Sequence, residues 1–149
     1  MSESRFVYES YIRATPDAVW SALTDADVMK QYWFGMHCQS QWTPGAAWTR
    51  FDRDGTVVDT GEVFAAEPPR RMIVRWRHQK RPELRAEGES LCTLDLLPVD
   101  ATVKLSITHT MAREPSKLIA AVSEGWPRVI SNLKTLLETG SVLFTEKNP

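Results

Sequence analysis

The sequence predicts an α+β domain in which a curved, seven-stranded antiparallel sheet packs on one long carboxy-terminal helix, with two short helices after the first strand. Three observations carry this expectation. Apolar residues recur at helical spacing between Thr15 and Phe34. From Met36 to Met111 the period becomes strand-like and is interrupted by tight-turn signals. Residues 116–138 then carry an apolar stripe about six helical turns long.

The first strand is expected in F-V-Y-E-S-Y-I, between Arg5 and Arg13, where β-branched and aromatic residues dominate. Thr15 can cap the next helix with Pro16 in its first position, and Val19, Trp20 and Leu23 recur on one face. A second short helix is expected in D-A-D-V-M-K-Q-Y-W-F, ended by Gly35. The turn signals T-P-G (43–45) and D-R-D-G (52–55) then separate strands expected near 36–41, 47–51, 57–66, 71–78, 89–97 and 102–111.

In the last helix, Leu118, Val122, Trp126, Val129, Leu133 and Leu136 form the stripe, widened by Ile119, Ile130 and Leu137. Lys117, Glu124, Arg128, Asn132 and Glu138 are expected on the opposite, polar side. Gly125, Trp126 and Pro127 interrupt it. Pro127 cannot donate to the carbonyl of Ser123, so a bend is expected there, and Gly125 is expected to permit a close approach or ease that bend. Residues 5–140 read as one domain and 141–149 as a tail, loose from Thr145 onward.

With 42% hydrophobic residues among 149, the chain can bury a substantial core. Its 18 basic and 19 acidic side chains nearly cancel, so no global field recruits nucleic acid or an anionic membrane. No apolar run approaches the roughly 18 residues of a membrane span and no leader is recognisable, which predicts a cytoplasmic protein. Cys38 and Cys92 have no C-x-x-C spacing and read as reduced, buried thiols. The histidines, His37, His78 and His109, lack metal-site spacing, and neither G-x-S-x-G, H-E-x-x-H nor a phosphate-binding glycine loop is present. No metal, cofactor or catalytic constellation is therefore expected.

Strand alternation sorts the side chains by face. Counting from Ile12 places Phe6, Tyr8 and Ser10 inward; on later strands Val74, Trp76 and His78, then Cys92 and Leu94, then Leu105, Ile107 and His109 follow. With Trp33 and Phe34 before Gly35, and Val122, Trp126 and Ile130 on the helix, these make a candidate ligand cavity. It is mostly apolar, with Tyr8, Ser10, His78 and His109 as sparse polar points. The same residue types serve a filled core equally well, and Trp33 and Phe34 can either frame a mouth or staple their helix to the sheet. The basic run from Arg70 to Arg85 has a plainer reading, because alternation turns Arg75 and Arg77 to the outer face beside Glu62, Glu89 and Asp95.

Four segments, A-T-P-D-A-V-W-S-A-L-T-D, Q-Y-W-F-G, G-E-V-F-A-A-E-P-P-R-R-M-I-V-R-W and G-W-P-R-V-I-S-N-L-K-T-L-L-E-T-G, resemble the activator of Hsp90 ATPase family of the START-like (SRPBCC) superfamily. The resemblance implies the helix-grip fold with an apolar cavity between sheet and helix. It implies no single function, because the superfamily includes lipid carriers, polyketide cyclases, hormone receptors and a co-chaperone domain. The expectation is binding of a small apolar or aromatic molecule. Its rivals are a protein-interaction module with a chaperone or homodimer partner, and a cyclase or dehydratase acting through His78 or His109.

Overall fold

In the computed structural model, which describes residues 2–146, the expected elements occur in the expected order with one addition. The strands are β1 (Ser4–Ile12), β2 (His37–Ser40), β3 (Ala47–Phe51), β4 (Val57–Glu67), β5 (Arg71–His78), β6 (Glu89–Val99) and β7 (Thr102–Met111). The helices are α1 (Pro16–Thr24), α2 (Ala26–Tyr32), α3 (Pro82–Arg85) and α4 (Lys117–Thr139). All strand pairs are antiparallel, in the order β1-β7-β6-β5-β4-β3-β2. With the long carboxy-terminal helix packed on this open sheet, the architecture is the helix-grip fold.

The helix ends follow their sequence signals. Thr15 Oγ1 accepts from the backbone N–H of Ala18 at 3.1 Å, and Asp25 Oδ1 accepts from Asp27 and Val28 at 2.9 and 3.2 Å. Asp25 thus ends α1 and caps α2. At the far end of α2, Phe34 (φ 54°) and Gly35 (φ 83°) are both left-handed. Glycine adopts this conformation freely, whereas a phenylalanine pays a steric penalty that its surroundings must offset.

The addition is α3, a single turn hidden in the charged run R-P-E-L-R. Its Leu84 is buried in a small cluster with Met111, Leu118 and Ile119. Just beyond it, Glu87 accepts from Ser116 Oγ (2.6 Å) and from the backbone N–H groups of Lys117 (2.7 Å) and Leu118 (3.2 Å). The connection between β5 and β6 therefore holds the first turn of α4, where unpaired N–H groups and the helix dipole favour a carboxylate.

Two expectations for α4 are corrected. Asn132 is fully buried rather than on the solvent side: the chain turns back after Gly140, and the Asn132 amide oxygen accepts from Leu143 N–H (3.1 Å) and Phe144 N–H (2.7 Å). Its amide nitrogen donates to the carbonyls of Phe144 (2.8 Å) and Tyr32 (3.2 Å), so the start of the tail is fastened to the core. The expected loose end falls mainly on residues 147–149, outside the described residues. Of the two roles expected for Gly125 the close approach is absent, since a Cβ there meets nothing within 4 Å; Gly125, Trp126 and Pro127 all lie within α4.

A glycine that does permit a close approach of backbone and ring is Gly61 on β4. A Cβ there would stand 1.9 Å from the carbonyl oxygen of Arg75 and 2.5 Å from Trp48 Nε1. Cys38 and Cys92 are free and buried, and burial pushes the Cys38 thiol up to about 12 and Cys92 higher still. On the outer face Arg75 pairs with Glu89 (3.2 Å) and Arg71 with Asp95 (3.0 Å), as a solvated sheet surface requires. Among the described residues no helix is long and apolar enough to cross a membrane.

Candidate functional site

Three neighbouring strands build the polar centre of the inner face. Register sets Arg50 of β3 opposite Asp59 of β4, and Asp59 opposite His78 of β5; one pleat away, Trp48, Gly61 and Trp76 are aligned in the same way. Charges thus form one row and rings the next. Gly61 carries no side chain, which lets the two indoles meet edge to face with centroids 5.0 Å apart.

Asp59 is completely buried and accepts from three directions. Arg50 Nε reaches Oδ2 at 2.6 Å, while Trp76 Nε1 and His78 Nδ1 reach Oδ1 at 2.9 and 2.8 Å. Burial pushes this carboxyl upward, but the Arg50 charge and the His78 and Trp76 hydrogen bonds outweigh it and hold the pKa below the ordinary value. Asp59 is therefore an anion with acceptors only, which makes His78 Nδ1 the donor of their bond. The other ring nitrogen, His78 Nε2, has no hydrogen-bond partner among the described residues, although its side chain is only 9% exposed.

His109 is equally buried but fully satisfied. Trp126 Nε1 donates to His109 Nδ1 at 3.3 Å, so Nε2 carries the proton and gives it to Ser90 Oγ (2.8 Å), whose hydroxyl donates to the carbonyl of Trp76 (3.1 Å). Desolvation lowers the His109 pKa to about 4, against a smaller upward pull from Asp59, and keeps the ring neutral. Trp126 also packs on Trp33 and Trp76, with centroids 5.4 and 5.9 Å away. The Arg50 guanidinium lies 5.1 Å from the Trp33 ring and 5.8 Å from the Trp76 ring, so the charge of the polar row is shielded by the aromatic one.

Beside this cluster lies an open cleft of about 990 Å³. One wall is Trp33, Phe34 and Met36; the floor is Arg50, Asp59, Trp76 and His78; the opposite wall is the amino-terminal half of α4, including Ala121, Val122, Gly125 and Trp126. Ion pairs flank the opening, with Lys80 on Asp52 and Arg81 on Glu83. Among the described residues no group of three or more His, Cys, Asp or Glu side chains is placed to hold a metal ion.

The residues singled out in the sequence divide four ways. Trp33, Phe34, Trp76, His78, Val122 and Trp126 line the cleft. Val74, Leu94 and Ile130 instead border an internal void of only about 50 Å³, where sheet and helix are nearly in contact. Leu105, Ile107 and His109 are solid core, and Tyr8 and Ser10 on β1 are half-buried and border neither space. The reason is placement: α4 packs on β1 and β7, which fills that side, and the cleft opens over β3 to β5. Asp59 and Arg50 were not foreseen. Counting back by twos from the buried Val63 places Gly61 and Asp59 inward, and Trp48 does the same for Arg50, but an acid in V-V-D-T-G reads locally as a turn residue.

Comparison with solved structures returns the same fold. Protein MLL2253 from Mesorhizobium loti superposes with a TM-score of 0.78 at 21% identity, over 93% of this chain and all of its own. The Aha1 dimer from Colwellia psychrerythraea gives 0.73 at 22% identity, covering 92% of this chain and 98% of that one. An HSP90 activator from Plasmodium falciparum gives 0.73 at 18% identity, covering 90% and 96%. No curated protein matches the chain significantly. The family model for activator of Hsp90 ATPase homolog 1-like protein matches residues 13–138, from the end of β1 almost to the end of α4, and the chain belongs to that family.

Proposed function

We propose that this protein is a cytoplasmic binder of a small apolar or aromatic molecule, held in the cleft between the tryptophan cluster and the amino-terminal half of α4. The observation that carries this reading is the lining. Trp33, Phe34, Trp76 and Trp126 converge on one space of about 990 Å³, at the upper end of the size range of small-molecule sites, with a few fixed polar groups among them. The left-handed Phe34 supports it, since backbone strain at a cleft wall is the kind of feature a binding site retains. Native mass spectrometry of the protein as purified tests the reading, together with titration of aromatic probes against tryptophan fluorescence. A retained small molecule, or saturable quenching, is expected. A protein that carries nothing and is unmoved by every probe does not bind such molecules in this cleft.

A second reading is favoured by the outer sheet face, where Phe64, Leu91 and Val7 are exposed and Arg75 lies 4.9 Å over the Phe64 ring. The named relatives include an HSP90 activator and a dimer, so a chaperone or a second copy is the partner to try. Phe64→Ser should then abolish association while leaving probe binding intact. The enzymatic rival rests on the Asp59–His78 pair alone, and it requires a turnover that disappears in His78→Ala.

A further inference from the structure

We infer that His78 Nε2 is the specificity contact of the cleft, a hydrogen-bond acceptor that selects aromatic molecules bearing a hydroxyl group over those without one. This rests on the cleft being the binding site. The polarity of the ring follows from its neighbours. Asp59 is fully buried, paired with Arg50, and has no proton to give, so the His78 Nδ1–H must point at it across 2.8 Å. A proton on Nε2 would be a buried donor with no acceptor in reach, so the ring keeps its single proton on Nδ1 and offers a lone pair at Nε2.

That lone pair has no partner. Nε2 is buried and unpaired among the described residues, whereas the comparable ring of His109 has both nitrogens bonded, to Ser90 and to Trp126. Buried polar groups left unsatisfied are uncommon and destabilising, and sites of recognition are where they are retained. His78 belongs to the floor of the cleft beside Trp76, and the stretch of α4 that lines the same cleft includes the small residues Ala121, Val122 and Gly125 between the larger Leu118 and Trp126. Because Nε2 is closed from water, a hydroxyl reaches it only by displacing the groups that cover it. The small side chains and the open space at Gly125 are suited to that displacement.

The occupant so defined is flat, to lie among indoles, and carries one O–H donor, to meet the acceptor. A phenol satisfies both, and its methyl ether keeps the ring while losing the donor. The experiment measures binding of 1-naphthol and of 1-methoxynaphthalene to the whole protein by tryptophan fluorescence and calorimetry. It then repeats both titrations on His78→Asn, whose amide can still donate to Asp59 but leaves no acceptor at the Nε2 position. In the unsubstituted protein 1-naphthol should bind about 5–10-fold more tightly, the range of a single net hydrogen bond, and in His78→Asn the two should agree within about twofold. Equal affinities in the unsubstituted protein overturn the inference while leaving an aromatic-binding cleft in place. A preference that survives unchanged in His78→Asn comes from the size of the methyl group and overturns it too. Failure of both probes to bind overturns this inference, and only together with an empty native mass spectrum and no response to any other aromatic probe does it remove the cleft reading as well.

Discussion

The two halves of α4 meet the same sheet in opposite ways. From Val129 to Leu137 the helix presents branched aliphatic side chains; Val129, Ile130 and Leu133 are buried, and the residual void beneath Val129 and Ile130 is about 50 Å³. From Ala120 to Gly125 it presents small or polar residues, A-A-V-S-E-G, and stands over a cleft of about 990 Å³. The second half is held by packing. The first is held by its end, through Glu87 and the small cluster around Leu84, and by Trp126, whose ring bridges to the sheet. A helix can therefore be fixed without filling the space under it, provided its terminus is capped and one large side chain acts as a strut.

The contrast can be broken most directly in the packed half. Leu133→Ala removes a side chain with no solvent exposure and should cost about 3 kcal/mol in urea unfolding, within the usual range for a buried leucine. A loss below about 1 kcal/mol would show that this half also tolerates space. Next is the strut. Trp126→Phe keeps a ring but withdraws the donor from His109 Nδ1, so about 2 kcal/mol should be lost with or without a bound probe. If affinity changes and stability does not, Trp126 serves the cleft wall alone.

Acid should loosen the same junction. The folded pKa of His109 is held near 4 by burial, against about 6.5 in an unfolded chain, so between those values the unfolded state binds more protons. Stability is then complete above about pH 6.5 and falls as pH drops toward 4, by up to roughly tenfold in the folding constant per pH unit. Asp59 extends the loss to lower pH. Its carboxyl is depressed below the ordinary value, so its contribution is present above about pH 4 and disappears as pH falls through the lower folded pKa. An NMR titration in which His109 protonates at an ordinary histidine pKa would contradict this account. The smallest effect on stability belongs to the open half. Gly125→Leu projects into empty space and replaces a poor helix former, so the melting temperature should hold or rise slightly, by under about 1 kcal/mol in stability, while aromatic probes lose their binding. Destabilisation would mean that the open half is packed after all.

What the sequence determined by itself is local. Periodicity, caps and turn residues set the seven strands, two of the short helices and the long one, because a 3.6-residue or two-residue repeat is written in consecutive side chains. Alternation also sent Trp76 and His78 inward and Arg75 outward. The tertiary structure decided what depends on distant parts of the chain. Asp59 is a buried anion only because registers across β3, β4 and β5 bring Arg50, Trp76 and His78 onto it. Asn132 is a core residue only because the chain returns after Gly140, and α3, one charged turn long, is too short to leave a period. Which inward residues face a cleft and which are core followed from where α4 rests on the sheet. The packing of one element on another is a sum of long-range contacts, and no stretch of neighbouring residues records it.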